Sequence, residues 1–146
     1  MKKHWMAAAV LILAAVVGFM YWNSDTMKDR RVWNRFRAQL TTEQVTKIEV
    51  SGAAKTATLS DSEMAEVLQL LRAASFDRSN RVGHGPTPVG TITLTFADGR
   101  RQHVSIHGTE SFELAPRHLD PGTQFFIRSR DLGAWLKVRF QGPSIG

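Results

Sequence analysis

From Trp5 to Trp22 the chain runs for 18 residues without a charged side chain. At helical rise that run spans about 27 Å, close to the roughly 30 Å of a hydrocarbon core. No other segment restricts the fold as much, because a stretch this apolar has to be buried in protein, crossed through lipid, or cut away. The apolar regions of cleaved leaders are shorter, about 7 to 15 residues, and end at a small-x-small site. Here the best small residue near the end is Gly18, with Val16 two positions earlier and Phe19, Met20, Tyr21 and Trp22 directly after it. Bulky side chains at those positions suit a peptidase badly. Trp5 at one end and Tyr21 with Trp22 at the other suit two interfacial belts, where an aromatic ring lies half in lipid. The expectation is a retained single-pass anchor over 5–22, with 1–4 as a short cytoplasmic tail.

Orientation is read from the flanks. Lys2 and Lys3 precede the run, and Lys28, Arg30, Arg31, Arg35 and Arg37 follow it. Basic side chains counted alone favour the larger cluster on the cytoplasmic side. That arrangement would carry a charged amino terminus across the bilayer. We therefore expect the following domain on the extracytoplasmic, periplasmic side of the inner membrane, and the basic cluster against lipid headgroups.

The chain has 146 residues and a formal net charge of +6. Much of that excess flanks the apolar run, so nucleic-acid binding is a secondary reading. Cysteine is absent, which excludes disulfides, thiolate nucleophiles and cysteine-ligated metals. The remaining roughly 100 residues suffice for one modest core.

Residues 23–42 read as a juxtamembrane basic helix or linker, with Trp33, Phe36 and Leu40 at helical spacing; the expectation is a short helix packed on the domain, the alternative an amphipathic helix resting on anionic lipid. Residues 43–140 read as one α+β domain and 141–146 as a tail. KIEVS and KTATL form a hairpin that pairs Val50 with Ala57 across a loop at 52–55. Ser60 and Glu63 make a capping box at the head of a helix over 61–74. Met64, Val67, Leu68 and Leu71 form its apolar stripe. DRSNRVGHGPTPVG is too rich in Gly and Pro for regular structure and reads as a loop.

TITLTFADGRRQHVSI is a second hairpin whose register follows from parity. Ile92, Leu94, Phe96, Val104 and Ile106 are all even-numbered, so paired positions must sum to an even number. A three-residue loop, Ala97-Asp98-Gly99, satisfies this with Gly99 left-handed, and it pairs Ile92 with Val104 and Leu94 with Gln102. SFEL and TQFFIRS add two strands. Ser129 caps a last helix that buries Leu132, Trp135 and Leu136. The predicted fold is an antiparallel sheet of five or six strands, packed by one main helix and a short C-terminal helix.

Catalytic signatures are absent. His103 and His107 lie four positions apart on a strand, about 13 Å, too far to share one metal ion. Ser105, His103 and Asp120 make a serine-histidine-aspartate set on paper only. Glu110 and Glu113 flank a short strand. There is no nucleophile elbow, phosphate loop or dinucleotide fingerprint. No catalytic residue, cofactor or metal ligand is assigned. The candidate partner surface is the odd-numbered hairpin face with its bordering loop: Thr91, Thr93, Thr95, His103, Ser105 and His107, with Gly83, His84 and Gly85.

An anchor, a capped helix, an Asp-Gly hairpin and a short terminal helix together are similar to small anchored bacterial envelope domains in general, without pointing to a family. The expectation is a noncatalytic protein-binding or assembly module of the envelope, an accessory subunit or an inhibitor or immunity-type protein, whose partners are the membrane and another envelope protein. The alternatives are an envelope hydrolase or metal-binding protein using His84, His103, His107 or His118, and a cytoplasm-facing nucleic-acid-binding domain.

Overall fold

A computed structural model describes residues 2–52 and 55–140. The tip of the first hairpin loop at 53–54 and the tail at 141–146 lie outside the described residues. Helix α1 spans Lys2–Trp22 and buries none of its residues. It is long and apolar enough to cross a membrane, with a mean hydropathy of 2.0 over its most apolar window. Helix α2 follows at Asp25–Arg37, capped by Ser24, whose side chain accepts from the Met27 amide.

The rest of the chain builds strands β1 (Val45–Gly52) and β2 (Thr56–Thr58), helix α3 (Asp61–Arg72), and strands β3 (Ser75–Ser79), β4 (Gly90–Phe96), β5 (Arg101–Ile106), β6 (Ser111–Leu114) and β7 (Phe125–Arg128), then helix α4 (Arg130–Phe140). The strands join one antiparallel sheet in the order β2-β1-β4-β5-β6-β7-β3. Seven strands stand where five or six were expected. The additional one is β3, SFDRS, which lies beyond the expected helix end at 74 and runs into the expected loop that begins at Asp77. It closes the far edge of the sheet against β7, with a register shift between Phe76 and Arg78. Helix α3 accordingly stops at Arg72 rather than at residue 74.

Both hairpin registers follow the hydrophobic pattern. Val50 faces Ala57, Ile92 faces Val104 and Leu94 faces Gln102. Gly99 has φ +88°, and the Phe96 amide donates to the Arg100 carbonyl. The φ value is the left-handed turn that parity demands. The Ser60–Glu63 capping box is present in both directions.

One face of the sheet carries the core. Val50, Ile92, Val104, Leu114 and Phe125 form a buried row across successive strands. Three helices cover it rather than one main helix: Trp33 and Phe36 from α2, Leu68 and Leu71 from α3, and Leu132 and Leu136 from α4 join the same cluster. Trp33 stands edge-on to Phe125 and donates its indole N–H to the Ala74 carbonyl. Helix α2 is therefore packed on the domain. Trp135 is only partly buried, and its indole donates to Glu66 at 2.7 Å. Among the described residues no helix covers the opposite face, where the candidate residues of β4 and β5 stand.

Candidate functional site: the uncovered sheet face and a basic cleft

Side chains alternate along a strand, so each buried row has a partner row on the other face. Ser51, Thr91, Ser105, Glu113, Phe126 and Arg78 form one such row, strand by strand. Glu49, Thr93 and His103 form part of the next. The candidate residues of β4 and β5 do share this face, but they are not equally available. His103 is exposed, and Thr91, Thr95 and Ser105 are half-buried. Thr93 is 8% exposed and bonds the His103 ring at 3.0 Å.

His107 does not stand on an open surface. Its side chain is 4% exposed, edge-on to Phe126, and its Nε2 lies 3.1 Å from Glu113 Oε1. Glu113 Oε2 accepts from the side-chain amides of Asn80 and Gln124. The stretch after β3 therefore crosses the β6–β7 end of the face: Gly83 stands over Gln124 and Gly85 over the Phe126 ring, with His84 exposed beside them. The loop and the β4–β5 face are separate features, divided by this Glu113 hub. Buried carboxylates need partners, and the glutamate spends both oxygens on them.

Among the described residues, no three His, Asp or Glu side chains converge to hold a metal ion. His118 reaches toward Gln39 at 3.4 Å. Asp120 accepts from Arg81 and from the Gly122 amide, so it is not the acid of a triad with His103. The buried His107 Nδ1 has no hydrogen-bond partner among the described residues.

Sequence reading missed a concave feature on this side. A cleft of about 480 Å³ opens where β5 outruns β6. The two strands pair only over Val104–Ile106, which leaves Arg101–His103 beyond the last partner. Arg100, Arg101 and Arg117 line the cleft with His103, Ser105 and His118. Its one carboxylate, Glu113, is the one already engaged by three side chains. Arg117 donates to the Pro121 carbonyl at 2.9 Å and to Gln124 Oε1 at 3.2 Å, both uncharged. Burial, with Arg100 and Arg35 nearby, holds the His118 imidazole below its ordinary range. The signal in the sequence was the Arg-Arg pair directly after the Asp98-Gly99 turn. Strand parity alone sends Arg101 to the helix-free face.

The basic residues expected at lipid headgroups are dispersed. Arg30 lies over the Phe76 ring at 5.0 Å, and Arg31 over Trp22 at 4.4 Å with a bond to the Trp22 carbonyl. Lys28 and Arg37 are half-buried and Arg35 is exposed. Trp5, Tyr21 and Trp22 are exposed on α1. The chain matches no protein-family model, no curated protein and no solved structure.

Proposed function

We propose that this chain is a membrane-anchored, noncatalytic binding module of the bacterial envelope. Helix α1 holds the domain at the extracytoplasmic face of the inner membrane, and the helix-free face of the sheet engages a protein partner. The observation that carries this reading is the asymmetry of the domain. Three helices bury one face of a seven-stranded sheet. The other keeps exposed polar side chains beside a cleft at the end of β5. One-sided antiparallel sheets commonly leave a polar face to solvent; what favours a binding surface here is the concavity with its surplus of arginine. A fully exposed apolar helix of 21 residues supports the anchor.

The test is position-specific photo-crosslinking in intact membranes of the native host. A photoreactive residue replaces Thr95 or His103 on the open face, or Gln69 on the exposed side of α3. The expected result is one shared adduct from the two sheet positions and none from Gln69. Equal labelling at all three would refute the surface. Protease added to spheroplasts should digest the domain; protection would reverse the orientation.

A further inference from the structure

We infer that the cleft beside β5 takes an extended, acidic peptide segment of the partner. This rests on the binding-module reading above and deepens it with the chemistry of the ligand. Three guanidinium groups border the cleft, from Arg100, Arg101 and Arg117; Arg100 already pairs with Asp98 at 3.3 Å and bonds Gln39, so Arg101 and Arg117 are the two that face a ligand. Among the described residues Glu113 makes no ion pair with them: His107, Asn80 and Gln124 occupy its two oxygens. Arg101 has Glu49 at 3.8 Å, beyond hydrogen-bond length. Arg117 has no carboxylate within ion-pair distance among the described residues, and its two bonds to neutral oxygens hold the guanidinium in place. Gln124 accepts from Arg117 and donates to Glu113. One amide thus holds both the guanidinium and the carboxylate in place. A guanidinium held in this way presents its remaining N–H donors as a fork that matches a carboxylate.

The shape selects an extended chain. Strand β6 ends at Leu114, and β5 continues for Arg101–His103 past the final pair. A segment entering there continues the line of β6. Four residues of it would span about 13 Å, with alternate side chains directed at the arginines. This is recognition by strand addition combined with charge pairing. The lining has no aromatic side chain other than imidazole, so the stacking platform of single-stranded nucleic-acid sites is missing. The lining residues also come from strands and a loop, not from a helix N-terminus of the kind that cradles phosphate.

The experiment uses the full chain in neutral nanodiscs and a fluorescent peptide of alternating glutamate and valine. The control is the same peptide with glutamine for glutamate. Binding is read by anisotropy. The glutamate peptide should bind, weaken as salt is raised, and exceed the glutamine peptide by about tenfold or more. Arg101→Gln and Arg117→Gln should each lower affinity by about tenfold, while Lys137→Gln on α4 leaves it unchanged. Both arginines are exposed, so these variants keep the fold, and circular dichroism checks that they do.

Equal binding of the two peptides, or unchanged binding by both arginine variants, would overturn the inference. So would displacement of the peptide by inorganic phosphate or a single-stranded oligonucleotide at lower concentration than unlabelled peptide needs. If crosslinks from Thr95 and His103 persist while the glutamate peptide does not bind, the acidic ligand falls and the binding module stands. If the crosslinks themselves are absent, the module reading falls.

Discussion

Arg81 donates to Asp29 at 2.7 Å across 52 residues of chain. Asp29 has no exposed surface, and its carboxylate also accepts from the Thr123 hydroxyl at 2.6 Å. One buried acid thereby ties α2, the stretch after β3 and the turn before β7 into a single knot. Because α2 begins three residues after α1 ends, the knot also sets where the apolar helix leaves the body. A buried pair gains little over an apolar replacement, but removing one partner strands a charge. Arg81→Met should therefore cost about 3–5 kcal/mol. A double variant with Asp29→Asn should cost less than the sum of the two single changes. Urea unfolding of the full chain in micelles measures both; additive costs would show that the pair does not act as a unit.

Trp33 tests whether α2 is part of the core. It is 1% exposed and packs on Phe36 and Phe125. Trp33→Ala should destabilise the domain by about 3–5 kcal/mol. A linker helix would lose almost nothing. The unfolding midpoint decides between these outcomes.

Two glycines should differ in the cause of their intolerance. At Gly133 the backbone of α4 lies against Thr109, and a Cβ would overlap the Thr109 carbonyl oxygen. Gly133→Ala should cost about 3 kcal/mol or more, because backbone has to move. At Gly99 a Cβ meets nothing within 4 Å, but φ is +88°. Gly99→Ala should cost about 1–2 kcal/mol from the left-handed turn alone. A larger loss at Gly99 than at Gly133 would contradict both accounts.

His118 should impose a pH slope. Burial first, then Arg100, holds its folded pKa below the ordinary 6.5. As pH falls through 6.5 the unfolded chain takes up this proton before the folded one does. Stability therefore declines from there down to the folded pKa, then levels off for this group. His118→Gln should flatten the decline of the unfolding midpoint as pH falls below about 6.5. Histidine NMR titration should place the resonance below its value in an unfolded peptide.

Ser60→Ala removes one direction of the capping box on α3, where the hydroxyl accepts from the Glu63 amide and the Glu63 carboxylate accepts from the Ser60 amide. The expected cost is about 1 kcal/mol. A thermal melt beside Ser62→Ala provides the comparison.

The parts legible in the sequence obey short-range rules. A three-residue hairpin loop was forced by the parity of Ile92, Leu94, Phe96, Val104 and Ile106, since a slip by one residue turns every apolar side chain to solvent. Ser60 and Glu63 declared the start of α3 because a cap is satisfied within one turn. The 18-residue run from Trp5 to Trp22 needed only its length and lack of charge. Strand β3 declared nothing. SFDRS is a short edge strand with no residue fully buried, and its partner β7 lies about fifty positions later. The candidate face was half legible for the same reason: alternation assigned Thr95, His103 and Ser105 to one side. It could not foretell that Glu113 and Phe126 of later strands would enclose His107, or that β6 would stop short of β5.

By itself, then, the amino-acid sequence determined the apolar helix, the hairpin registers and the capped helix, because each is decided among residues a few positions apart. Only the tertiary structure decided that Trp33 of α2 meets Phe125, that Arg81 meets Asp29, and that Arg100, Arg101 and Arg117 border one cleft. Those pairings join distant parts of the chain, and no local periodicity records which distant charge or strand edge will be brought opposite.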